Sequence, residues 1–194
     1  MHTLYAAPFT SSLAVHLVLR QQNLPTTLHW LRRGPARQIQ DPAYATLNPR
    51  QKVPALLLPD GTLLTEIINI LMHLEEGQEA PRQRLTWLSF IATELHQQAL
   101  GPLFDPQTPP ATIKDVLTRL LPPVLGHLES ALSSSVLPAS GAVDAYLFWT
   151  LLLLRNQHPE TIATPALTAH RKMMLGRGFV REVLSVEQAA YQSR

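Results

Sequence analysis

Two textures of hydrophobic patterning divide the chain. Up to residue 75, short apolar runs of strand length alternate with helical stretches. From residue 82 onward, apolar positions recur almost throughout at intervals of three and four, the period of an α-helix. Thr3-Leu4-Tyr5 predicts a first strand, stopped by Pro8. Thr10, Ser11 and Ser12 then supply N-cap hydroxyls for a helix carrying Leu13, Leu17 and Leu19 to about residue 22. Asn23 and Pro25 end that helix. Residues 26–31 are β-prone, residues 32–42 form a loop, and residues 43–47 hold one helical turn closed by Asn48-Pro49. The apolar run 53–58 opens on Pro54, which fits the first residue of a strand or an edge because proline has no ladder donor. Asp60-Gly61 is a hairpin turn before Thr62-Leu63-Leu64. Thr65-Glu66 caps a helix with Ile67, Ile70, Leu71 and Leu74 at helical spacing.

The polar, glycine-containing segment 76–81 is the linker. After it, residues 82–100 predict a helix with Leu85, Leu88, Ala92, Leu95 and Ala99 on one side, ended by Gly101-Pro102. Further helices are expected over 112–132, interrupted near Pro122-Pro123, over 143–154 and over 180–190. The order of the first segment, β-α-β-(α)-β-β-α, is the thioredoxin-like arrangement. The predicted fold is therefore α/β plus all-α: a thioredoxin-like domain over 1–75, a linker over 76–81 and an all-helical domain over 82–194.

Composition narrows the function. The chain has 194 residues, enough for one large domain or two small ones, and 45% of them are hydrophobic, so a sizeable core is expected. There is no cysteine, which removes disulfides, zinc–thiolate sites and thiol redox chemistry by the protein itself. A net charge of +2, with one modest cluster at Arg32, Arg33 and Arg37, is no nucleic-acid footprint. No secretory signal shows, and the longest apolar stretch, 145–154, is too short to span a bilayer, so a cytoplasmic protein without membrane partners is expected. No histidine pair has metal-ligand spacing, so no metal is expected.

Five strings, in order, then match one family: Leu4-Tyr5-x-x-Pro8-x-Thr10-Ser11-Ser12; Leu47-Asn48-Pro49-x-x-Lys52-Val53-Pro54-Ala55-Leu56; Asp60-Gly61-x-x-Leu64-Thr65-Glu66; the run from Trp87 to His96 with Pro102-Leu103-Phe104; and Asp144-Ala145-Tyr146-Leu147-Phe148. The chain resembles the cytosolic glutathione transferases, and within them the bacterial beta class. The resemblance implies a homodimer that binds glutathione mainly on the first domain and takes a small electrophilic substrate between the domains.

The chemistry so implied is formation of a thiolate from glutathione, whose thiol must be held as the anion. The residue of the class cysteine is Ser11 here, so Ser11 is expected to donate to the thiolate, with Thr10 as second candidate. Either residue also fits a plain N-cap role, worth about 1 kcal/mol. The resemblance gives Val53-Pro54 a cis bond, with the Val53 backbone pairing the cysteinyl part of glutathione. It directs Glu66 to the γ-glutamyl amino group and the N–H of Ile67 to the γ-glutamyl carboxylate. Lys52 and Arg33 are expected near the glycyl carboxylate. His96 matches a histidine that approaches the thiol, against its reading as a packed helical residue. Phe9, Ser89 and Phe104 are the expected substrate contacts, and Ser89 lies seven residues from His96 on the same helical face.

The chain departs from the family pattern at Ser11 itself, at Gln51 where glycine is usual, and at Ile67 where a small or hydroxylated residue is usual. It departs also in a short segment before Trp87 and at Gly141, where a Ser or Thr N-cap is usual. These changes leave two rival expectations: a non-catalytic scaffold of the same fold, and a glutathione-dependent tailoring enzyme or isomerase acting on one metabolite.

Overall fold

The alternating first segment forms a four-stranded mixed sheet. A computed structural model describes residues 1–34, 39–138 and 141–193. Strands β1 (His2–Ala6), β2 (Thr26–Trp30), β3 (Ala55–Leu57) and β4 (Leu63–Thr65) lie in the order β2-β1-β3-β4. β2 is parallel to β1, and helix α1 (Ser12–Gln21) makes the crossover that parallel pairing requires. β3 and β4 are antiparallel to their neighbours and joined at Asp60-Gly61. There the Asp60 carboxylate accepts the Thr62 N–H at 2.9 Å, and Gly61 takes φ +91°, a region that favours glycine. Helices α2 (Pro42–Leu47) and α3 (Ile67–Leu74) complete the expected thioredoxin-like order. Ala7, Leu31, Tyr44 and Ala55 cluster in one part of its core, with Leu4, Leu17, Leu56 and Ile70 also fully or almost fully buried.

The chain divides into two compact units, Met1–Gly77 with Arg177–Arg194, and Gln78–Gly176. Gly77 closes the first segment of one unit and Gln78 opens the other. At the other end the expected division differs from the observed one: the last helix, α10 (Gly178–Gln192), groups with the first unit rather than with the helical one. The physical reason is a buried acid. Val180, Val183 and Glu187 form the buried stripe of α10, and Glu187 is 0% exposed. One oxygen of its carboxylate accepts the Phe9 N–H at 2.8 Å and the other meets His16 Nδ1 at 2.9 Å.

The second unit is built from helices alone. α4 (Pro81–Phe90) continues through π-type turns over Ile91–Leu100 into α5 (Gly101–Phe104). α6 (Pro110–Asp115) likewise continues through π-type turns over Val116–Leu120 into α7 (Leu121–Ser133). Both wide segments stand just ahead of proline, Pro102 in one case and Pro122-Pro123 in the other. A proline ring crowds the carbonyl four residues back and offers no N–H. The helix persists by opening its turns, with Gly101 N–H reaching the His96 carbonyl and Leu121 N–H the Val116 carbonyl. Gly101-Pro102 therefore does not stop the helix as its sequence suggests. Leu88, Ala92, Leu95 and Ala99 are buried as expected, but Leu85 is 43% exposed and leaves the predicted stripe.

Helices α8 (Ala142–Gln157) and α9 (Pro165–Gly176) complete the unit. Gly141 opens α8 at φ +83°, which accounts for glycine at this cap. Asp144 in the first turn pairs with His170 Nε2 at 2.9 Å, both buried. Glu129 of α7 caps α9 by accepting the Ala166 and Leu167 N–H groups. Among the described residues, no helix is long and apolar enough to cross a membrane.

Glu187→Ala strands a buried N–H and a buried imidazole together, so it is expected to cost about 3 kcal/mol of unfolding free energy in urea. A loss below about 1 kcal/mol would contradict the weight given to this contact.

Candidate functional site

Strand register brings distant parts of the chain to one end of the sheet. Tyr5 pairs with Ala55, and Ala55 pairs with Thr65. The C-terminal end of β1, the start of β3 and the C-terminal end of β4 therefore share one edge, and Ala6 beside Trp30 adds the end of β2. The residues that follow or precede these ends are Phe9, Thr10 and Ser11, Lys52, Val53 and Pro54, Glu66 and Ile67, and, beyond β2, Arg33. Arg33 is exposed and bridges Ile39; Arg37 of the same cluster lies outside the described residues.

At the first of these ends the hydroxyls sort themselves. Thr10 Oγ1 donates to the Ala7 carbonyl at 2.7 Å, and Ser12 Oγ donates to the same oxygen at 3.0 Å. Ser11, 9% exposed, is the N-cap residue of α1, yet its hydroxyl makes no capping bond and has no partner among the described residues. The expected capping by these hydroxyls is thus replaced by a knot on Ala7, which leaves the Ser11 hydroxyl unpaired at the positive end of a ten-residue helix. Phe9 just ahead sits at φ +58°, its N–H held by Glu187 and its ring edge-on to Tyr191 at 6.0 Å.

The second part is a pinned turn. Asn48 Nδ2 and Tyr44 O–H both donate to the Lys52 carbonyl, at 3.0 and 2.6 Å, while Asn48 Oδ1 accepts the Arg50 N–H and the Asn48 carbonyl accepts the Gln51 N–H. Burial pushes the Tyr44 phenol above its usual pKa, so it stays a donor. Gln51 takes φ +50°, which accounts physically for a position where glycine is usual. The Val53-Pro54 bond is cis, as expected. At the third part Glu66 is the N-cap residue of α3, at φ +64°, with no capping bond from its side chain. The carboxylate instead pairs with Arg50 Nη1, both side chains being well exposed. Sequence reasoning passed over Arg50; the signal was its place inside the Asn48–Val53 string. It passed over Glu187 as well, although its phase with Val180 and Val183 was visible.

His96, Ser89 and Phe104 belong to the other unit. His96 Nδ1 lies 2.7 Å from the Tyr146 hydroxyl, and its ring stands edge-on to Trp149 at 4.6 Å. Burial pushes its pKa down to about 4 and pushes that of Tyr146 well up, so both are neutral near pH 7. The π-type turns begin at Ile91, between Ser89 and His96. Ser89 and Phe104 are half-buried. A cavity of about 520 Å³ also lies in this unit, lined by Gln83, Leu132, Val136 and Met173 among others, and none of the expected site residues borders it. Among the described residues, no group of three or more His, Asp or Glu side chains is arranged to hold a metal ion.

Comparison with known proteins identifies the family. Residues 10–76 match the family model "Glutathione S-transferase, N-terminal domain". The chain is 32% identical to the glutathione S-transferase GstA of Escherichia coli O157:H7, over 95% of its own length and 98% of that protein's. Among solved structures, a glutathione transferase from Methylococcus capsulatus superposes with a TM-score of 0.83 at 28% identity, covering 97% of this chain and 100% of the other. A sphingomonad glutathione S-transferase, solved with glutathione, gives 0.80 at 26% identity over 96% and 98%.

The depressed His96 pKa fixes a sign. Between pH 6.5 and 4 the unfolded chain holds a proton on His96 that the folded chain does not, so His96 destabilises the fold progressively as pH falls through that window. Its share is on the order of 3 kcal/mol at the acid end. Urea unfolding across this range is expected to show a shallower pH slope in His96→Phe than in wild type. Equal slopes would place the imidazole in water.

Proposed function

Because the chain belongs to the glutathione S-transferase family, we propose that it binds glutathione at the sheet edge described above and that Ser11 holds the sulfur as a thiolate for attack on a small, largely apolar electrophile. A thiol of the cysteine type ionises near pH 8.5, so at neutral pH the anion needs help. A hydroxyl donor and the N-terminus of α1 both favour it. The observation that supports Ser11 over Thr10 is the division of hydroxyls: Thr10 and Ser12 are bonded to the Ala7 carbonyl, and Ser11 is unpaired. The thiolate electron pair then forms the new carbon–sulfur bond. The leaving group departs with its own pair, or an activated double bond takes up a proton at its far carbon.

The rest of glutathione follows the same edge. The Val53 N–H and C=O pair with its cysteinyl backbone. Glu66 takes the γ-glutamyl ammonium and the Ile67 N–H its carboxylate, and Lys52 and Arg33 approach the glycyl end. The bound glutathione of the sphingomonad relative supports the choice of co-substrate. The functional form in this reading is a homodimer, as the family resemblance implies. His96 enters it only through that resemblance, since its observed partner is Tyr146.

Calorimetry is expected to show glutathione binding in wild type that weakens about tenfold or more in Glu66→Ala, a lost charge-assisted contact. With a chloro-dinitrobenzene as electrophile, Ser11→Ala is expected to lower kcat about a hundredfold while changing glutathione affinity less than about threefold. Full turnover in Ser11→Ala would remove Ser11 from the chemistry. No glutathione binding at millimolar concentration would remove the whole reading.

A further inference from the structure

Resting on the glutathione reading, we propose that Arg50 determines specificity for the γ-glutamyl α-carboxylate, forming with Glu66 a charge pair complementary to an amino-acid zwitterion. The γ-glutamyl residue of glutathione carries a free ammonium and a free carboxylate on one carbon. Glu66 offers a partner for the first. For the second, the chain offers the backbone N–H of Ile67 but no hydroxyl, because an isoleucine side chain stands there. Arg50 is the cation already at this point, its Nη1 bonded to Glu66 Oε1.

Three features suit Arg50 to the task. Its backbone is fixed, since the Asn48 side chain accepts its N–H at 3.2 Å and holds the Lys52 carbonyl on the far side of the turn at 3.0 Å. Its guanidinium has no bond other than that to Glu66 among the described residues, so most of its N–H donors are available to a carboxylate, which a guanidinium grips with two parallel bonds. Finally, both side chains are more than 60% exposed, 63% and 64%, and an exposed pair of this kind contributes little by itself. A zwitterion therefore opens the contact at small cost: its ammonium stays on Glu66 while its carboxylate takes the guanidinium.

The test is calorimetric titration of wild type, Arg50→Met and Arg50→Lys with glutathione and with its γ-glutamyl α-carboxamide analogue. Wild type is expected to prefer the carboxylate by about tenfold or more. Arg50→Met is expected to lose about that factor for glutathione and to bind the two compounds within about threefold of each other. Arg50→Lys, which keeps the charge without the fork, retains part of the preference. An undiminished carboxylate preference in Arg50→Met overturns the proposal. So does tighter glutathione binding in that variant, which would make Arg50 a competitor for Glu66. If wild type binds neither compound at millimolar concentration, the glutathione reading itself fails, and this proposal with it.

Discussion

The pairing of Tyr5 with Ala55 and of Ala55 with Thr65 is the constraint on which the candidate site depends. Three segments far apart in sequence end or begin in that one row. Slipping any strand by one residue would turn its side chains to the other face and move its loop out of line. The register is held by Leu4 and Leu56, buried on the same face, and by the tight Asp60-Gly61 return. The loops that hang from the row need only short reach to meet at its end.

Two of the three loops are then stiffened by hydrogen bonds that use up polar groups of their own. Thr10 and Ser12 are bonded to Ala7, Asn48 and Tyr44 are bonded to Lys52, and Glu187 holds Phe9 from the terminal helix. The backbone sits in the left-handed region at Phe9, Gln51 and Glu66, one position in each loop. Such conformations cost energy in non-glycine residues and persist when the surroundings over-determine them. The Ser11 hydroxyl and the exposed Arg50–Glu66 pair are among the groups that this internal bonding leaves over. The proposed function uses the first, and the zwitterion clamp uses the second.

Most of the fold was legible in the sequence because its signals are local. Pro54, Asp60-Gly61 and the apolar spacing of α3 act over a few residues, and the element order of the first unit follows from them. The features that escaped are those decided by distant partners or by relaxation. Gly101-Pro102 has the chemistry of a helix end, yet the helix widens and continues. Leu85 has helical phase with a buried stripe, yet among the described residues it is left 43% exposed. Glu187 is a charged residue on a buried stripe, and only its partners at Phe9 and His16, more than 170 positions away, explain why it is tolerated there. At the site, the resemblance named the positions. The proposal's preference for Ser11 over Thr10 rests on coordinates, because the Thr10 hydroxyl is bonded to the Ala7 carbonyl and that of Ser11 is not.

The most direct test of the central claim is an ultraviolet difference titration of the thiol of bound glutathione, in wild type and in Ser11→Ala. A thiol stabilised as its anion by Ser11 ionises in wild type below the ordinary value near pH 8.5, by about one to two units, and returns toward that value in Ser11→Ala. The same low ionisation in both proteins would contradict the account and leave the helix N-terminus, not the Ser11 hydroxyl, as the source of the thiolate.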